Sequence, residues 1–343
     1  MLERLAVPIV GAPMAGGSST PELAAAVCEA GGLGFVAAGY TAPEAMTEAI
    51  AATRALTRAP FGVNVFAAAP TEADPAALEA FAGRVRARQG IEPGAPRSDD
   101  DDFDAKLARL LDDPVAVVSF TFGCPARELV ERLQGAGSEV WVTVTDVAEA
   151  RQAAAAGADA LVVQGVEAGG HRGAFVDEEP GDFGVLALVQ LVAAAVPLPL
   201  VAAGGIATGR AIAAVLAAGA AAAQVGTAFM CCPEAGTPAV HREALRGSGR
   251  TALTRAFTGR TARGIVNRFM RDHDGGAPRA YPAVAHMTAP IRAHGRSAGD
   301  AELLNLWAGQ AHELTRDMPA GRLVRELHEE ARATAAELHR RLA

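Results

Sequence analysis

The sequence predicts a (β/α)8 barrel, an α/β fold, on three observations. Short apolar runs alternate with alanine-rich helical segments, which is the pattern of a parallel sheet with crossover helices. The runs number eight and end near residue 230, which matches the strand count and length of such a barrel. Glycine and polar residues follow most of the runs, where the carboxyl ends of barrel strands would meet. A doubly wound sheet is the alternative, but it predicts fewer strands and a nucleotide-binding fingerprint after the first strand.

Each strand is expected where apolar and β-branched residues cluster between glycine and proline. In chain order, the strands are Val7–Ala12, Gly34–Ala37, Phe61–Phe66, Val115–Phe120, Val140–Val144, Ala160–Gln164, Leu198–Ala203 and Ala223–Gly226. The helices between them are Pro21–Ala30, Pro43–Thr57, Pro125–Leu133, Val147–Ala156, Val185–Ala195 and Gly209–Ala218. Proline stands at or near the first turn of the first three helices, where its missing N–H does no harm, and glycine follows others as a C-terminal cap.

Two segments depart from this alternation. Residues 71–113 are long for a crossover, so we expect an insertion after the third strand made of a helix, an exposed loop and a helix. It contains the run Ser98–Asp102, with four consecutive aspartates that we expect to be solvated. Residues 233–343 are too many for a final barrel helix. We therefore expect a barrel domain over residues 1–232 and a mainly helical C-terminal cap, over residues 233–343, packed on one end of it.

Composition and charge limit the classes of function. Half of the 343 residues are hydrophobic and 37 are glycine, which suits a compact enzyme. The formal net charge of −8 argues against a nucleic-acid partner and against a membrane surface. No apolar run is long enough for a confident membrane span and the first residues do not resemble a signal peptide, so we expect a cytoplasmic protein. The four cysteines show no metal-ligand spacing, and we expect buried, inert thiols and no metal.

The most informative stretch is Ala158–Gly173, where a buried strand runs into a glycine-rich loop. Gln164 ends the strand and His171 stands among the glycines. Such a loop lets the backbone approach a flat or phosphorylated ligand, over which an imidazole can serve as a general base or bind an anion. A flexible turn with a surface histidine is the other interpretation. His171 is the single histidine before residue 241, and we expect most of the seven later ones to lie at the surface.

Glycines after the seventh and eighth strands predict a phosphate site. Gly204 and Gly205 precede a helix that starts near Thr208, and Gly226 and Thr227 follow the eighth strand. In barrels, backbone N–H groups and a helix N-terminus converge at this place. Tight turns without a ligand are the alternative explanation, which the joint placement of these glycines makes less favoured. The chain has neither a G-x-G-x-x-G after a strand nor a Walker pattern, so a Rossmann-type dinucleotide site is not supported.

Six short motifs occur in a characteristic order between Val7 and about Leu327. They are Ala12-Pro13-Met14, Phe61-Gly62-Val63-Asn64, Gln164-Gly165-Val166-Glu167-Ala168-Gly169-Gly170-His171, Ala203-Gly204-Gly205-Ile206, Gln224-Val225-Gly226-Thr227 and Trp307-Ala308-Gly309-Gln310. In this order they resemble the nitronate monooxygenases, formerly called 2-nitropropane dioxygenases. The last motif is similar to that of the larger group of nitronate oxidisers.

The resemblance implies an FMN-binding barrel that needs no nicotinamide. It implies oxidation of alkyl nitronates, and with them nitroalkanes, by molecular oxygen to carbonyl compounds and nitrite. It leaves a homo-oligomer open. By matched motif, His171 would contact the nitro group and remove the α-proton of a neutral nitroalkane. The FMN contacts would come from Met14, Asn64, Gln164, Gly169, Gly170, Gly204, Gly205, Gln224, Gly226 and Thr227.

One departure and two alternatives remain. Related bacterial enzymes carry a second histidine after the fourth strand, where this chain has Thr121, so the substrate is left open. An FMN-dependent enoyl-thioester reductase using NAD(P)H has the same barrel and a similar E-x-G-G-H loop. The late Trp307-Ala308-Gly309-Gln310 motif and the long helical tail argue against it. The third hypothesis is a flavin-binding sensor without turnover. The presence of His171 in an otherwise apolar pocket favours an enzyme over such a sensor.

Overall fold

Eight parallel strands form the central sheet of the computed structural model, which describes residues 1–67, 73–178 and 181–343. These strands are β1 (Ile9–Gly11), β2 (Phe35–Ala37), β3 (Gly62–Phe66), β4 (Val117–Thr121), β5 (Glu139–Val144), β6 (Ala160–Gln164), β8 (Leu200–Ala203) and β9 (Ala222–Val225). A smaller antiparallel sheet contains β7 (Gly170–His171), β10 (Thr251–Thr254) and β11 (Ala262–Ile265). The large sheet has the order β1-β9-β8-β6-β5-β4-β3-β2, and a parallel bridge between Val10 and Leu33 joins its two edges. The predicted barrel is confirmed.

The described residues form twelve α-helices. They are α1 (Pro21–Glu29), α2 (Pro43–Leu56), α3 (Pro75–Gln89), α4 (Phe103–Asp112), α5 (Arg127–Gly135), α6 (Val147–Ala156), α7 (Val185–Ala195), α8 (Gly209–Ala217), α9 (Ala239–Arg246), α10 (Arg268–His273), α11 (Ala283–Ala298) and α12 (Ala320–Leu342). Every strand and helix predicted for the barrel is present to within two residues at each end. Side-chain caps fix several starts: Thr20, Asp146 and Thr208 each accept a hydrogen bond from the N–H three residues on. None of the helices in these ranges is long and apolar enough to cross a bilayer.

Large apolar side chains fill the part of the barrel below the carboxyl ends of its strands. Phe35 and Trp141 meet there with ring centroids 5.9 Å apart, and Trp141 is fully buried. Val10, Val162 and Val201 pack in the same cluster. Full burial of one such side chain is worth about 1.5–3 kcal/mol. Because packed side chains fill this region, a ligand enters the barrel from the carboxyl ends of the strands.

The expected insertion after β3 contains α3 and α4, and its residues 71 and 72 lie outside the described residues. Lys106 on α4 is fully buried, and its Nζ lies 2.7 Å from Asp101 Oδ2. Asp101 also accepts a hydrogen bond of 2.9 Å from Tyr40 N. The expectation of a solvated aspartate run holds for the exposed Asp99 and is wrong for Asp101. A buried ammonium needs a carboxylate partner, which the run supplies.

The segment that was expected to form a cap also completes the side of the barrel. Helix α12 packs against α8 and α1, at the place of a helix that follows the last barrel strand. The packing is tight, since a Cβ on Gly209 would lie 2.5 Å from the carbonyl oxygen of Leu327. Helix α12 therefore differs from the expected cap, because its apolar stripe is buried on the flank of the sheet. A domain boundary at residue 232 stays a prediction.

The cysteines are free thiols, of which Cys28, Cys231 and Cys232 are buried and Cys124 is half-buried. Burial raises the pKa of the Cys28 thiol to about 11 and that of Cys232 to about 12. Thiols with such pKa values stay protonated at neutral pH, and the protonated form is a poor nucleophile.

Candidate active site

One large cavity lies at the carboxyl ends of the barrel strands. Its volume is about 800 Å³, which falls within the range of small-molecule sites. The residues assigned from the sequence to catalysis and to flavin binding all line it: Met14, Asn64, Gln164, Gly169, Gly170, His171, Gly204, Gly205, Gln224, Gly226 and Thr227. The structure therefore brings the whole predicted site together.

The loops after β8 and β9 offer unused backbone donors at one end of this cavity. Gly204 and Gly205 have φ angles of +123° and +67°, and a Cβ on Gly204 would lie 3.2 Å from the carbonyl oxygen of Gly165. The N–H groups of Gly204, Gly205, Gly226 and Thr227 donate to no other residue in the described ranges. Convergent free N–H groups of this kind suit an anion such as phosphate.

The N-terminus of α8, which was expected to share in the phosphate site, is occupied by the protein's own groups. Gly209 N donates to Glu330 Oε2 on α12 at 2.9 Å, and Ala211 N donates to Thr208 Oγ1 at 3.2 Å. A carboxylate at this end of a helix takes the position and the dipole interaction that a phosphate would take. Two of the first three N–H groups of α8 are therefore already used, and the phosphate site stays a prediction that depends chiefly on the two loops.

The glycine-rich loop after β6 is held by hydrogen bonds across its whole width. The side chain of Gln164 accepts from Gly173 N at 2.8 Å and donates to the carbonyl oxygen of His171 at 3.0 Å. The fully buried Arg172 donates to the carbonyl oxygens of Gln164 and Gly165, at 3.0 and 2.8 Å. The alternative of a flexible turn with a surface histidine is therefore wrong.

The late motif Trp307–Gln310 packs directly on this loop. Its backbone N–H groups donate to the carbonyl oxygen of Glu167 and to Thr227 Oγ1, both at 3.0 Å. A Cβ on Gly169 would lie 2.5 Å from the backbone of the motif, so any other residue would force the two segments apart. The motif thus joins the loop of His171 to the loop after β9.

Aromatic rings enclose the imidazole of His171. Four ring centroids lie between 5.5 and 6.4 Å from its own, those of Trp307, Phe122, Tyr281 and Tyr40. Tyr281, like Trp307, comes from the tail, so this enclosure is formed only when the tail packs on the barrel. No sequence motif identified Tyr40, Phe122 or Tyr281, because their role depends on tertiary contacts alone.

The surroundings of His171 keep its imidazole neutral. Burial, followed by the nearby charges of Arg260 and Arg292, lowers the pKa of His171 to about 3. An ordinary histidine titrates near pH 6.5, and its charged form is disfavoured both by loss of water and by neighbouring cations. At physiological pH the imidazole can therefore accept a proton but does not carry a positive charge.

Two arginines bring positive charge close to His171, of which Arg260 is buried and Arg292 is half-buried. Arg260 lies with its guanidinium carbon 4.2 Å from the ring centre of Phe122, and its Nε has no hydrogen-bond partner. Arg292 projects from α11 into the cavity, donates to the carbonyl oxygen of Ala285 at 2.7 Å, and also has an unpartnered Nε. In the described ranges neither has a carboxylate within 4.0 Å. Both were missed from the sequence, where arginine is the ordinary cation and carries no special signal.

Four residues other than glycine that line the cavity have positive φ angles, namely Tyr40, Asp101, Asp102 and Phe122. Tyr40 and Phe122 have φ angles of 61° and 77°, in the left-handed region that side chains other than glycine seldom adopt. Such strain costs about 1–3 kcal/mol per residue and is concentrated at functional sites. At Phe122 it places the ring between the guanidinium of Arg260 and the imidazole of His171.

Thr121, at the position where the resemblance led us to expect a second histidine, belongs to an uncharged polar cluster. Asn64 Nδ2 lies 3.0 Å from Thr121 Oγ1 and 2.9 Å from Ser119 Oγ. Thr121 Oγ1 also lies 3.4 Å from Thr143 Oγ1. The amide group of Asn64 is thus oriented by hydroxyl groups.

Met14 lines the cavity, but its N–H is already used. That group donates to Ser19 Oγ at 2.8 Å, and the carbonyl oxygen of Met14 accepts from Ser19 N at 3.2 Å. The sulfur of Met14 lies 3.8 Å from the position of a Cβ on Gly226. A contact between Met14 and a flavin would therefore use the side chain rather than the backbone N–H.

Of the seven tail histidines, three are buried, two (His286 and His328) are half-buried and two are exposed, so the expectation that most lie at the surface is only partly met. His241, His273 and His312 are buried, and His294 and His339 are exposed. His241 also lines the cavity, with its Nε2 3.0 Å from the carbonyl oxygen of Trp307, and burial lowers its pKa to about 4. Backbone carbonyls in the tail offer hydrogen bonds to His241 and His312, whereas His273 Nε2 lies 3.1 Å from Gln89 Nε2, and a sequence pattern reveals neither arrangement.

The aspartate run of the insertion lines the same cavity. Asp99 Oδ2 lies 2.7 Å from His286 Nε2 on α11, and Arg97 Nη2 lies 3.0 Å from His286 Nδ1. Asp99–Asp102 and the side chains of Arg292 and Arg296 on α11 all line the cavity. The insertion and the tail thus meet at the site, although they are far apart in the sequence.

Comparisons with known proteins agree with this geometry. The family model described as nitronate monooxygenase matches residues 1–330. Nitronate monooxygenase of Pseudomonas aeruginosa is 45% identical over 95% of this chain and 96% of its own length. Nitroalkane oxidase from Streptomyces ansochromogenes, a solved structure, is 53% identical with a TM-score of 0.94, covering 98% of this chain and 99% of its own. The structure of FabK from Thermotoga maritima is 29% identical with a TM-score of 0.78, over 98% and 96% of the two chains.

Proposed function

The chain belongs to the nitronate monooxygenase family, and on that premise we propose that it oxidises nitronates and nitroalkanes with FMN bound in the barrel cavity. It is an oxidoreductase that uses molecular oxygen, and the expected products are a carbonyl compound and nitrite. The observation that carries the proposal is the single cavity in which His171 and the ten expected flavin contacts meet. The match to nitroalkane oxidase is also closer than the match to FabK.

The residues of the cavity fit one flavin mononucleotide. The family is flavin-dependent, and a bound flavin supplies the redox chemistry by accepting electrons from the substrate. The unused N–H groups of Gly204, Gly205, Gly226 and Thr227 would hold a phosphate. The chain has no dinucleotide fingerprint for an adenylate half. These features support FMN rather than FAD.

The side chains around the other end of the cavity would bind and prepare the substrate. His171 is neutral and can take the α-proton of a nitroalkane, which leaves the electron pair of the C–H bond on the nitronate. The Arg292 guanidinium would hold the negatively charged oxygens so formed. The rings of Trp307, Tyr281 and Phe122 would exclude water and strengthen this attraction.

Anaerobic mixing tests the proposed function. A nitronate is expected to reduce the bound flavin, seen as bleaching of its visible absorption, whereas NADH is expected to reduce it slowly or not at all. Chromatography of the flavin released by heat is expected to identify FMN. Rapid reduction by NADH coupled to an enoyl thioester would instead support the reductase hypothesis, and recovery of FAD would contradict the cofactor.

We expect Arg292→Met to raise KM for a nitronate by about 10- to 100-fold, because a charge-assisted hydrogen bond is worth about 1.5–3 kcal/mol. The change keeps the aliphatic stem and removes the guanidinium. KM for a neutral nitroalkane should rise less, since no anion is bound before proton removal. Steady-state oxygen consumption with both substrate forms measures the two KM values.

Arg296→Met is the matched control, since Arg296 lies one turn further on α11 at the same cavity but is exposed. Solvent screens an exposed charge, so its loss should change KM little. If the two variants raise KM equally, only the general positive potential matters and Arg292 does not bind the nitronate.

A further inference from the structure

The two ring nitrogens of His171 have different surroundings. Nε2 lies 2.9 Å from Thr258 Oγ1. Nδ1 forms no hydrogen bond with any residue in the described part of the chain. It is also not one of the fully buried nitrogen atoms without a partner, so its surface is accessible from the cavity. Since His171 lines the cavity, Nδ1 is the nitrogen that a substrate can reach.

The hydroxyl of Thr258 already has an acceptor for its one proton. Thr258 Oγ1 lies 3.1 Å from the carbonyl oxygen of Arg260 and donates to it. That carbonyl accepts no other hydrogen bond from the described residues, and a buried carbonyl left without a donor costs about 1–3 kcal/mol. If the hydroxyl proton points at Arg260, the hydroxyl can only accept from His171, so Nε2 must carry the imidazole hydrogen.

The backbone around Thr258 holds the hydroxyl in place. Thr258 is 3% exposed, and Gly259 has a φ of 77° with a 2.8 Å hydrogen bond from its N–H to the carbonyl oxygen of Arg255. A Cβ on Gly259 would lie 2.7 Å from the backbone of Ala280, so this turn fits tightly against the segment that precedes α11. The hydroxyl therefore faces His171 from a fixed position.

We propose that Thr258 holds His171 in the tautomer protonated at Nε2, so that Nδ1 is the atom that removes the α-proton. In a neutral histidine, the hydrogen bond made by one ring nitrogen commonly decides that the other nitrogen is the one free to react. When Nδ1 accepts the proton, the N–H at Nε2 becomes more acidic and its hydrogen bond to Thr258 strengthens. Thr258 acts through His171 and is a positioning residue. The catalytic part of this inference rests on the proposed function, whereas the tautomer does not.

Nitrogen-15 NMR of histidine-labelled enzyme tests the tautomer without turnover. The His171 signals are identified by their loss in His171→Gln. We expect Nε2 of the wild type to have the chemical shift of a protonated nitrogen and Nδ1 that of an unprotonated one. Thr258→Val keeps the shape of the side chain but removes the hydroxyl, and it should populate the other tautomer. Thr258→Ser restores the hydroxyl and should restore the wild-type signals.

Kinetics on the same variants completes the test. Thr258→Val should lower kcat for a neutral nitroalkane by about 10- to 100-fold, within the range for a misplaced general base, and lower kcat for a nitronate far less. Thr288→Val is the matched control, because Thr288 is fully buried and donates to the carbonyl oxygen of Phe257 without lining the cavity. It should leave the ratio of the two activities unchanged.

A wild-type enzyme protonated at Nδ1, or an unchanged tautomer in Thr258→Val, would overturn the proposal. Equal losses on both substrates in Thr258→Val, with no rescue by serine, would also overturn it, because a purely structural defect gives that result. An enzyme with the expected tautomer that oxidises neither substrate would instead refute the proposed function and leave the tautomer assignment standing.

Discussion

Replacing His171 by alanine is expected to lower kcat/KM for neutral nitroalkanes by roughly 10²–10⁴-fold, the usual contribution of a general base. A nitronate has already lost its α-proton, so its oxidation should fall much less. The imidazole of His171 lies among the rings that line this cavity, with its centroid 5.5 Å from that of Trp307 and 5.6 Å from that of Phe122. Oxygen consumption with the neutral and the anionic form of one nitroalkane compares the two effects within a single preparation.

The pH dependence gives an independent check on this residue. A base must be unprotonated to act, so activity falls as the pH drops through its pKa. The pKa of His171 is lowered to about 3, and the wild-type rate on nitroalkanes should therefore show no loss assignable to His171 between pH 8 and 5. An acid limb near pH 6.5 that disappears in His171→Ala would contradict this description of the site. The variant should retain its flavin, since the expected flavin contacts are other residues.

Gly205→Asp is expected to abolish flavin retention. Gly205 has a φ of 67°, a Cβ there would lie 3.0 Å from Glu167 Cβ, and the new carboxylate would stand beside the phosphate dianion. The ratio of flavin to protein absorbance after gel filtration measures retention, and circular dichroism reports whether the barrel is folded. Titration with free FMN then gives Kd, for which we expect an increase of at least about 100-fold, since like charges in contact cost several kcal/mol.

Gly137→Asp is the matched control for this experiment. Gly137 also has a left-handed backbone, with a φ of 102°, but a Cβ there would meet nothing within 4 Å and the residue lies away from the cavity. The control carries the same charge and similar backbone strain, so it should destabilise the fold slightly and retain flavin. If Gly205→Asp folds and binds FMN with unchanged affinity, the phosphate has been assigned to the wrong loops.

The barrel was predictable because its signals are local. A buried parallel strand is a short apolar run, and a helix such as Val147–Ala156 is bounded by an aspartate cap and by a glycine in the left-handed region. Small errors arise where one local rule competes with another. Pro125 suggested the start of α5, but the next residue, Ala126, has an extended backbone and the helix begins at Arg127.

The candidate site was predictable only in part, since motifs identify residues from the barrel strands better than residues from other segments. The glycine loops and His171 follow strands, and strand ends must converge in a barrel. Arg292 and Tyr281 reach the cavity from the tail, whose path over the barrel depends on long-range packing. Glu330 shows the same limit, because a glutamate on the polar side of an amphipathic helix gives no sign in the sequence that it will cap α8.

The position of α12 also has a consequence for the order in which a ribosome delivers this protein. The last barrel strand, β9, ends at Val225, but the helix that covers the seam between α8 and α1 begins only at Ala320. Until those later residues emerge, the nascent chain exposes the apolar flank that α12 covers, and Gly209 lacks its Glu330 partner. Chains with exposed apolar surface during synthesis are prone to aggregate or to engage chaperones. While the segment between β9 and α12 is being translated, the incomplete barrel is thus exposed to aggregation unless a chaperone covers its apolar flank.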